Sequence, residues 1–227
     1  MITLLIATRN AHKVGEIRAI LGKGFGCLSL ADFPGAPEVV EDAGTFAGNA
    51  TKKAVALARW LADQPPFAPV DQVYVLADDS GLEVDALGGA PGVHSARFAA
   101  LDTSQPGNSP TPANNAKLLR LLAGVPLEKR AARFRCVLAL TPLPRRAPVS
   151  ASPVCLADEA ELGTELFEGT CEGRIGFQAR GSGGFGYDPL FIPRGYTETL
   201  GELSEEVKNG MSHRARALGL LKAKLGH

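Results

Sequence analysis

The run VYVLA at residues 73–77 is apolar or aromatic throughout, and two carboxylates, Asp78 and Asp79, follow it at once. A run of this kind reads as a strand buried in a sheet. Leading two charges straight out of a core is costly unless they are solvated, paired or bound to a cation. Adjacent strand residues point to opposite faces, so the pair converges only if the chain turns at Asp79. The expected local structure is therefore a strand to residue 77, a turn, and LEVDAL (82–87) as a possible partner strand. Hard oxygen donors at a strand end suit Mg²⁺, which takes one or two carboxylates plus substrate phosphates and keeps several waters. An Asp-Ser-Gly turn accounts for the same residues, although it needs only one aspartate.

The neighbouring segments alternate in type. ITLLIA (2–7) is a short β-rich run, followed by the polar TRNAHK (8–13). Val14, Ile17, Ile20 and Leu21 then recur at helical spacing until Gly22 and Gly24. Thr45 is a candidate N-cap for a helix in which Phe46, Ala50, Ala54, Leu57 and Leu61 form one stripe, with Pro65 and Pro66 beyond it. Residues 112–124 read as a third helix ending at Gly124, and 212–225 as a C-terminal one. RFRCVLALT (133–141) alternates and then turns continuously apolar, as a strand does when it enters a core from an edge. TELFEGTCEGRI and PLFIP read as further strands, and the Pro- and Ser-rich, then acidic, stretch 142–164 as an exposed hairpin tip. Helices mixed with strands, some of them antiparallel, predict an α/β protein with a mixed sheet.

Composition narrows the function. The 227 residues suffice for one large α/β domain or two lobes sharing a sheet, and 45% of them are hydrophobic. The 24 basic and 24 acidic side chains balance, which argues against coating a long nucleic acid. Cys27, Cys136, Cys155 and Cys171 show neither C-x-x-C nor zinc spacing and are expected to be reduced. No segment approaches the ~20 apolar residues that span a bilayer, and the N-terminus lacks a signal-like cleavage site. The expected setting is cytoplasmic, without nucleic-acid or membrane partners.

Polar residues gather at element ends. Thr8, Arg9, Asn10, Ala11, His12 and Lys13 precede a helix, where backbone N–H groups favour an anion; taken alone they also make an ordinary βα loop capped by Asn10. Glu41 and Asp42 precede the second helix, and Lys53 lies one turn after Asn49 on the same face. GSGGFGYDP (181–189) has four glycines that could let the backbone approach a ligand, with Phe185 and Tyr187 as aromatic faces; a tight hairpin explains the glycines equally well. Lys208, His213 and Arg214 lie together in EEVKNGMSHRARAL. Carboxylates for a metal, cations for phosphates and an aromatic loop for a base favour metal-assisted attack by water on a phosphoryl group.

In this order, ATRNAHK, TFAGNATKKA, LADDSGLEVDALGGAPGVHSARF, RFRCVLAL, GSGGFGYDPLF and KNGMSHRARAL resemble the inosine triphosphate pyrophosphatase family, the non-canonical purine nucleoside triphosphate pyrophosphatases. The resemblance implies Mg²⁺-dependent cleavage of ITP, dITP or XTP to the monophosphate and pyrophosphate. It also implies a single domain with an elongated mixed β-sheet flanked by helices, two lobes with a central active-site cleft, and a homodimer. Residue by residue, Thr8, Arg9, Asn10, Ala11, His12 and Lys13 match the triphosphate loop, with Lys53 nearby. Glu41 and Asp79 match the metal ligands, and Asp79 also the proton acceptor. Ser80 matches a substrate contact. Phe185, Gly186, Tyr187 and Asp188 match the base and sugar pocket, with Phe185 stacking on the purine. Lys208, His213 and Arg214 match the residues that close over the nucleotide. Arg9 and His12 depart from the glycines common in the family, and 142–164 is longer than in many relatives.

Overall fold

A computed structural model describes residues 2–64, 72–102, 107–143, 161 and 163–226. Six strands, β1 (Ile2–Ile6), β2 (Phe25–Ser29), β3 (Val73–Val84), β4 (Ala131–Pro142), β5 (Glu165–Ile175) and β6 (Phe191–Pro193), form one sheet in the order β2-β1-β3-β4-β5-β6. β1 pairs in parallel with β2 and β3, whereas β5 and β6 are antiparallel. The Leu143 N–H donates to the Val73 carbonyl and the Ile175 N–H to the Arg130 carbonyl. The end of β4 thus meets the start of β3, and the end of β5 the start of β4, as antiparallel strands do. The sheet is mixed, as expected, and it is an open sheet, not a barrel.

Among the described residues five helices accompany it: α1 (Ala11–Leu21), α2 (Phe46–Ala62), α3 (Thr111–Leu121), α4 (Glu205–Met211) and α5 (His213–Lys224). Asn10 caps α1 and Gly22 ends it at a φ of 70°. Thr45 caps α2 as expected. Pro65, Pro66, Cys155 and, within the 142–164 stretch, residues 144–160 and 162 lie outside the described residues. The other three cysteines are free thiols.

The chain forms two compact units: residues 1–79 with 137–167 and 220–227, and residues 80–136 with 168–219. In the first, Leu4, Leu5 and Ile6 of β1, Ile17 of α1, Leu57 and Leu61 of α2, and Val75 and Leu76 of β3 are all essentially inaccessible. The buried stripe of α2 includes Asn49 and Lys53 among its apolar residues, so the hydrophobic spacing that docks the helix also carries two polar groups inward. In the second unit Leu82, Phe98, Leu118, Leu122, Phe134, Tyr187 and Phe191 belong to one core. Gly169 of β5 lets α5 pack at very short range, since a Cβ there would collide with the His213 carbonyl and the Ala217 amide.

β3 departs from the expected turn. It runs unbroken for 12 residues through Asp78 and Asp79, and Leu82 and Val84 continue the same strand instead of forming a partner; Asp85–Leu87 is a single 3₁₀ turn. The carboxylates therefore do not converge, and each finds a different partner.

Candidate active site

Asp78 and Asp79 are 1% and 6% exposed. Asp78 forms an ion pair with the Lys13 ammonium, in the first turn of α1. Asp79 takes a hydrogen bond from Asn49, with Nδ2 donating to Oδ2 at 3.1 Å, and its Oδ1 lies 3.6 Å from Lys53 Nζ. Lys53 also donates to Glu41 Oε1 at 3.0 Å and to the Asp78 carbonyl at 2.8 Å. Its ammonium thus lies between the two carboxylates expected to hold a metal.

Asn49 ties this arrangement together. Its Oδ1 accepts from the Ala43 N–H at 2.9 Å, anchoring the segment that carries Glu41, while its Nδ2 holds Asp79. Gly48 permits the approach, because a Cβ there would lie 2.8 Å from the Ala43 methyl. Sequence reasoning noted Asn49 only as a neighbour of Lys53; its place in the buried stripe of α2 was the available signal.

Burial raises the Asp79 carboxyl above the ordinary carboxylate range. Lys53 and Lys13 pull it back, and Glu41 raises it further. Three carboxylates face two ammoniums here, leaving an excess of negative charge that suits a divalent cation. Among the described residues no group of three or more His, Cys, Asp or Glu forms a ready-made metal cage. Two carboxylates supplying oxygen donors, with the remaining positions left to water and phosphate, fit Mg²⁺ and not a closed structural site.

The loop at residues 8–13 is more self-contained than an open anion cradle. Asn10 Oδ1 accepts from the His12 N–H at 3.0 Å and the Lys13 N–H at 3.2 Å, satisfying two of the free amides of α1. The Asn10 N–H donates to Thr8 Oγ1 at 3.2 Å. Arg9 turns to the Ala36 carbonyl at 2.9 Å. Ala11 and His12 are exposed at the start of the helix.

In the second unit, Ser80 Oγ lies 3.5 Å from Arg214 Nη2, a long contact. The loop at 181–189 is held by its own carboxylate: Asp188 Oδ2 accepts from the Phe185 N–H at 2.8 Å and from Lys208 Nζ at 2.6 Å. The side chains of Lys208 and Asp188 are each 4% exposed, so this is a buried pair. Lys208 Nζ is 4.8 Å and Arg214 Cζ 5.9 Å from the Phe185 ring centre, within reach of its π-face. Tyr187 donates to the Ser95 carbonyl at 2.9 Å, and burial pushes its phenol well above the usual range. Asn115 Nδ2 donates to the Gly186 carbonyl at 3.2 Å, a support that the sequence reading did not identify. The His213 ring stacks on Phe134, with centres 4.9 Å apart and planes 15° from parallel.

The glycines of this loop have an internal cause. A Cβ on Gly181 would strike the Gly201 backbone, and one on Gly184 the Asp188 carboxylate; both residues also have positive φ. Close approach of chain to chain explains them. The structure brings Phe185, Asp188, Lys208 and Arg214 together, and separately Lys13, Glu41, Lys53, Asp78 and Asp79.

Fold and polar sets together define an open α/β protein with a carboxylate–lysine cluster in one unit and an aromatic loop flanked by cations in the other. The chain belongs to the Ham1 family, whose model matches residues 4–224. Among similar proteins, the dITP/XTP pyrophosphatase of Desulforamulus reducens is 46% identical over 216 residues, covering 95% of this chain and 91% of that one. That of Geobacter sulfurreducens is 46% identical over 228 residues, covering 100% and 98%. The solved Ham1 protein of Coxiella burnetii superposes with a TM-score of 0.76 at 30% identity over 100% and 99% of the two chains. That of Staphylococcus aureus gives 0.73 at 32% identity over 99% and 98%. The resemblance read from the sequence pieces is borne out.

Proposed function

We propose that the chain hydrolyses dITP, XTP and ITP to the monophosphate and pyrophosphate with Mg²⁺, removing non-canonical purines from the nucleotide pool. Hydrolysis of a triphosphate anhydride comes with the family; the metal, the full substrate set and the residue roles are inferred. The observation that carries them is the Lys53 ammonium between Glu41 and Asp79, beside a carboxyl raised by burial.

Glu41 and Asp79 would hold the metal, which supplies charge neutralisation on the phosphates. Asn49 engages Asp79 Oδ2, so Oδ1 would be the atom left to accept a proton from the attacking water. Burial raises this carboxyl, the direction a base needs, whereas a bound cation would lower it again. Lys13 and Lys53 are paired with carboxylates in this structure, and phosphate oxygens would compete for their ammoniums. Thr8, Arg9, Asn10, Ala11 and His12 would line the triphosphate. Phe185 would stack on the base, Gly186, Tyr187 and Asp188 would shape its pocket, and Ser80, Lys208, His213 and Arg214 would complete the nucleoside contacts.

Preference over adenine would come from donors aimed at the 6-oxo group, because adenine's amino group would meet a donor and leave it unpaired; such mismatches discriminate by about 10⁴ or more. The active form is proposed to be a homodimer of single-domain chains. Rates on dITP, XTP, ITP, ATP, GTP and dUTP, with and without Mg²⁺, test the proposal. Turnover of the first three only with metal is expected; equal rates on ATP would overturn it.

A further inference from the structure

Beyond both clusters, the second unit has a cavity of about 170 Å³ lined by Gly173, Arg174, Ile192, Pro193, Arg194 and Tyr196, among others. It is about half open to solvent, so a small ligand would enter it from the surface. Ile192 and Pro193 are buried on β6, while Arg174, Arg194 and Tyr196 stand exposed around them.

The state of the two arginines sets this cavity apart. Elsewhere in the unit guanidinium groups are engaged: Arg133 with Asp85 and Glu172, Arg135 with Glu168, Arg180 with Glu202 and the Thr197 carbonyl. Arg130 donates to three carbonyls, and Arg216 to the Thr170 carbonyl. Among the described residues, the side chains of Arg174 and Arg194 meet no carboxylate or carbonyl, yet both border one cavity. Charges on an edge strand discourage edge-to-edge pairing, which could account for Arg194, next to β6. It does not account for Arg174, which lies on β5, one strand in from the edge.

We propose that this cavity binds a phosphate-type anion between Arg174 and Arg194, at a site distinct from the two clusters. A doubly charged oxyanion would give both guanidiniums a partner, and their planar forks match its oxygens. The chemistry is common to inorganic phosphate or pyrophosphate and to the phosphate of a nucleotide.

Calorimetry of the full chain without divalent metal, at low ionic strength, separates the sources with inorganic phosphate, pyrophosphate and a nucleoside monophosphate as probes. Lys13→Ala suppresses competing binding at the carboxylate–lysine cluster. Binding that survives Lys13→Ala and weakens at least tenfold in the double variant Arg174→Gln, Arg194→Gln supports the site. Response to the inorganic ions identifies a free anion, and response to the monophosphate alone identifies a nucleotide. Equal affinity before and after the double substitution, or no binding at millimolar anion, overturns it. Both arginines are exposed, so an unchanged melting temperature is expected; Arg174→Lys with Arg194→Lys keeps the charge and tests the fork geometry.

Discussion

Asn49 does two structural tasks with one amide, and both bear on Asp79. The carbonyl oxygen anchors the Ala43 N–H and the amino group holds Asp79 Oδ2, in a place with no exposure to water. Asn49→Ala leaves buried groups unpaired, at a cost of about 1–3 kcal/mol, and frees the segment bearing Glu41. Chemical denaturation should show that loss, and turnover should fall with it; unchanged stability and turnover would remove Asn49 from the account. The two aspartates are also separable. Asp79→Asn is expected to abolish turnover while circular dichroism stays native. Asp78→Asn removes the partner of Lys13 and should do less harm, weakening substrate binding more than the chemical step. A larger kcat loss in Asp78→Asn would mean that the wrong carboxylate has been chosen as base.

At the scale of elements, two packing arrangements set the second unit. Gly169 admits α5, which begins with His213 and Arg214, against β5. Gly169→Ala forces a collision with backbone, and such overpacking costs typically about 1–3 kcal/mol or more. A lowered melting temperature together with impaired nucleotide binding is the expected outcome; a wild-type melt would show that the helix shifts freely. The 3₁₀ turn Ala100–Asp102 is tied to α3 by Lys117, which is 8% exposed and donates to the Phe98 carbonyl and to Asp102. Lys117 and Arg120 hold the Asp102 carboxyl below its ordinary value. A carboxyl lowered in the folded state adds stability above its unfolded pKa of about 3.9 and loses it as pH falls through the folded value. Asp102→Asn should therefore melt earlier than wild type at pH 7, and the gap should close in strong acid. A gap independent of pH would point to packing, not charge.

The elements that the sequence reveals best are those whose periodicity agrees with their caps. Asn10 and Thr45 mark the starts of α1 and α2, and β4, β5, β6 and α5 lie within a residue or two of their expected spans. β2 and α4 were not anticipated: FGCLS is short and only weakly β-rich, and EEVKNGM has no apolar stripe of its own. The turn expected at Asp79 is absent because each carboxylate is neutralised in place, one by Lys13, the other by Asn49 and Lys53. Local propensity disfavours aspartate in a strand, and only tertiary partners reverse that. The same limit applies to the glycine-rich loop, where facing backbone and Asp188 set the requirement for glycine.

For the molecule as a whole, the described residues include no helix long and apolar enough to cross a membrane. Light scattering at micromolar concentration should report twice the 23.8 kDa of one chain; a monomer there would contradict the proposed homodimer. The central claim is that water attacks the α-phosphorus of a 6-oxopurine triphosphate. Hydrolysis of dITP in ¹⁸O-labelled water with Mg²⁺, read by mass spectrometry of the products, tests it most directly. The predicted result is unlabelled pyrophosphate and one ¹⁸O atom in the monophosphate. Label in the pyrophosphate, or release of orthophosphate, would contradict it.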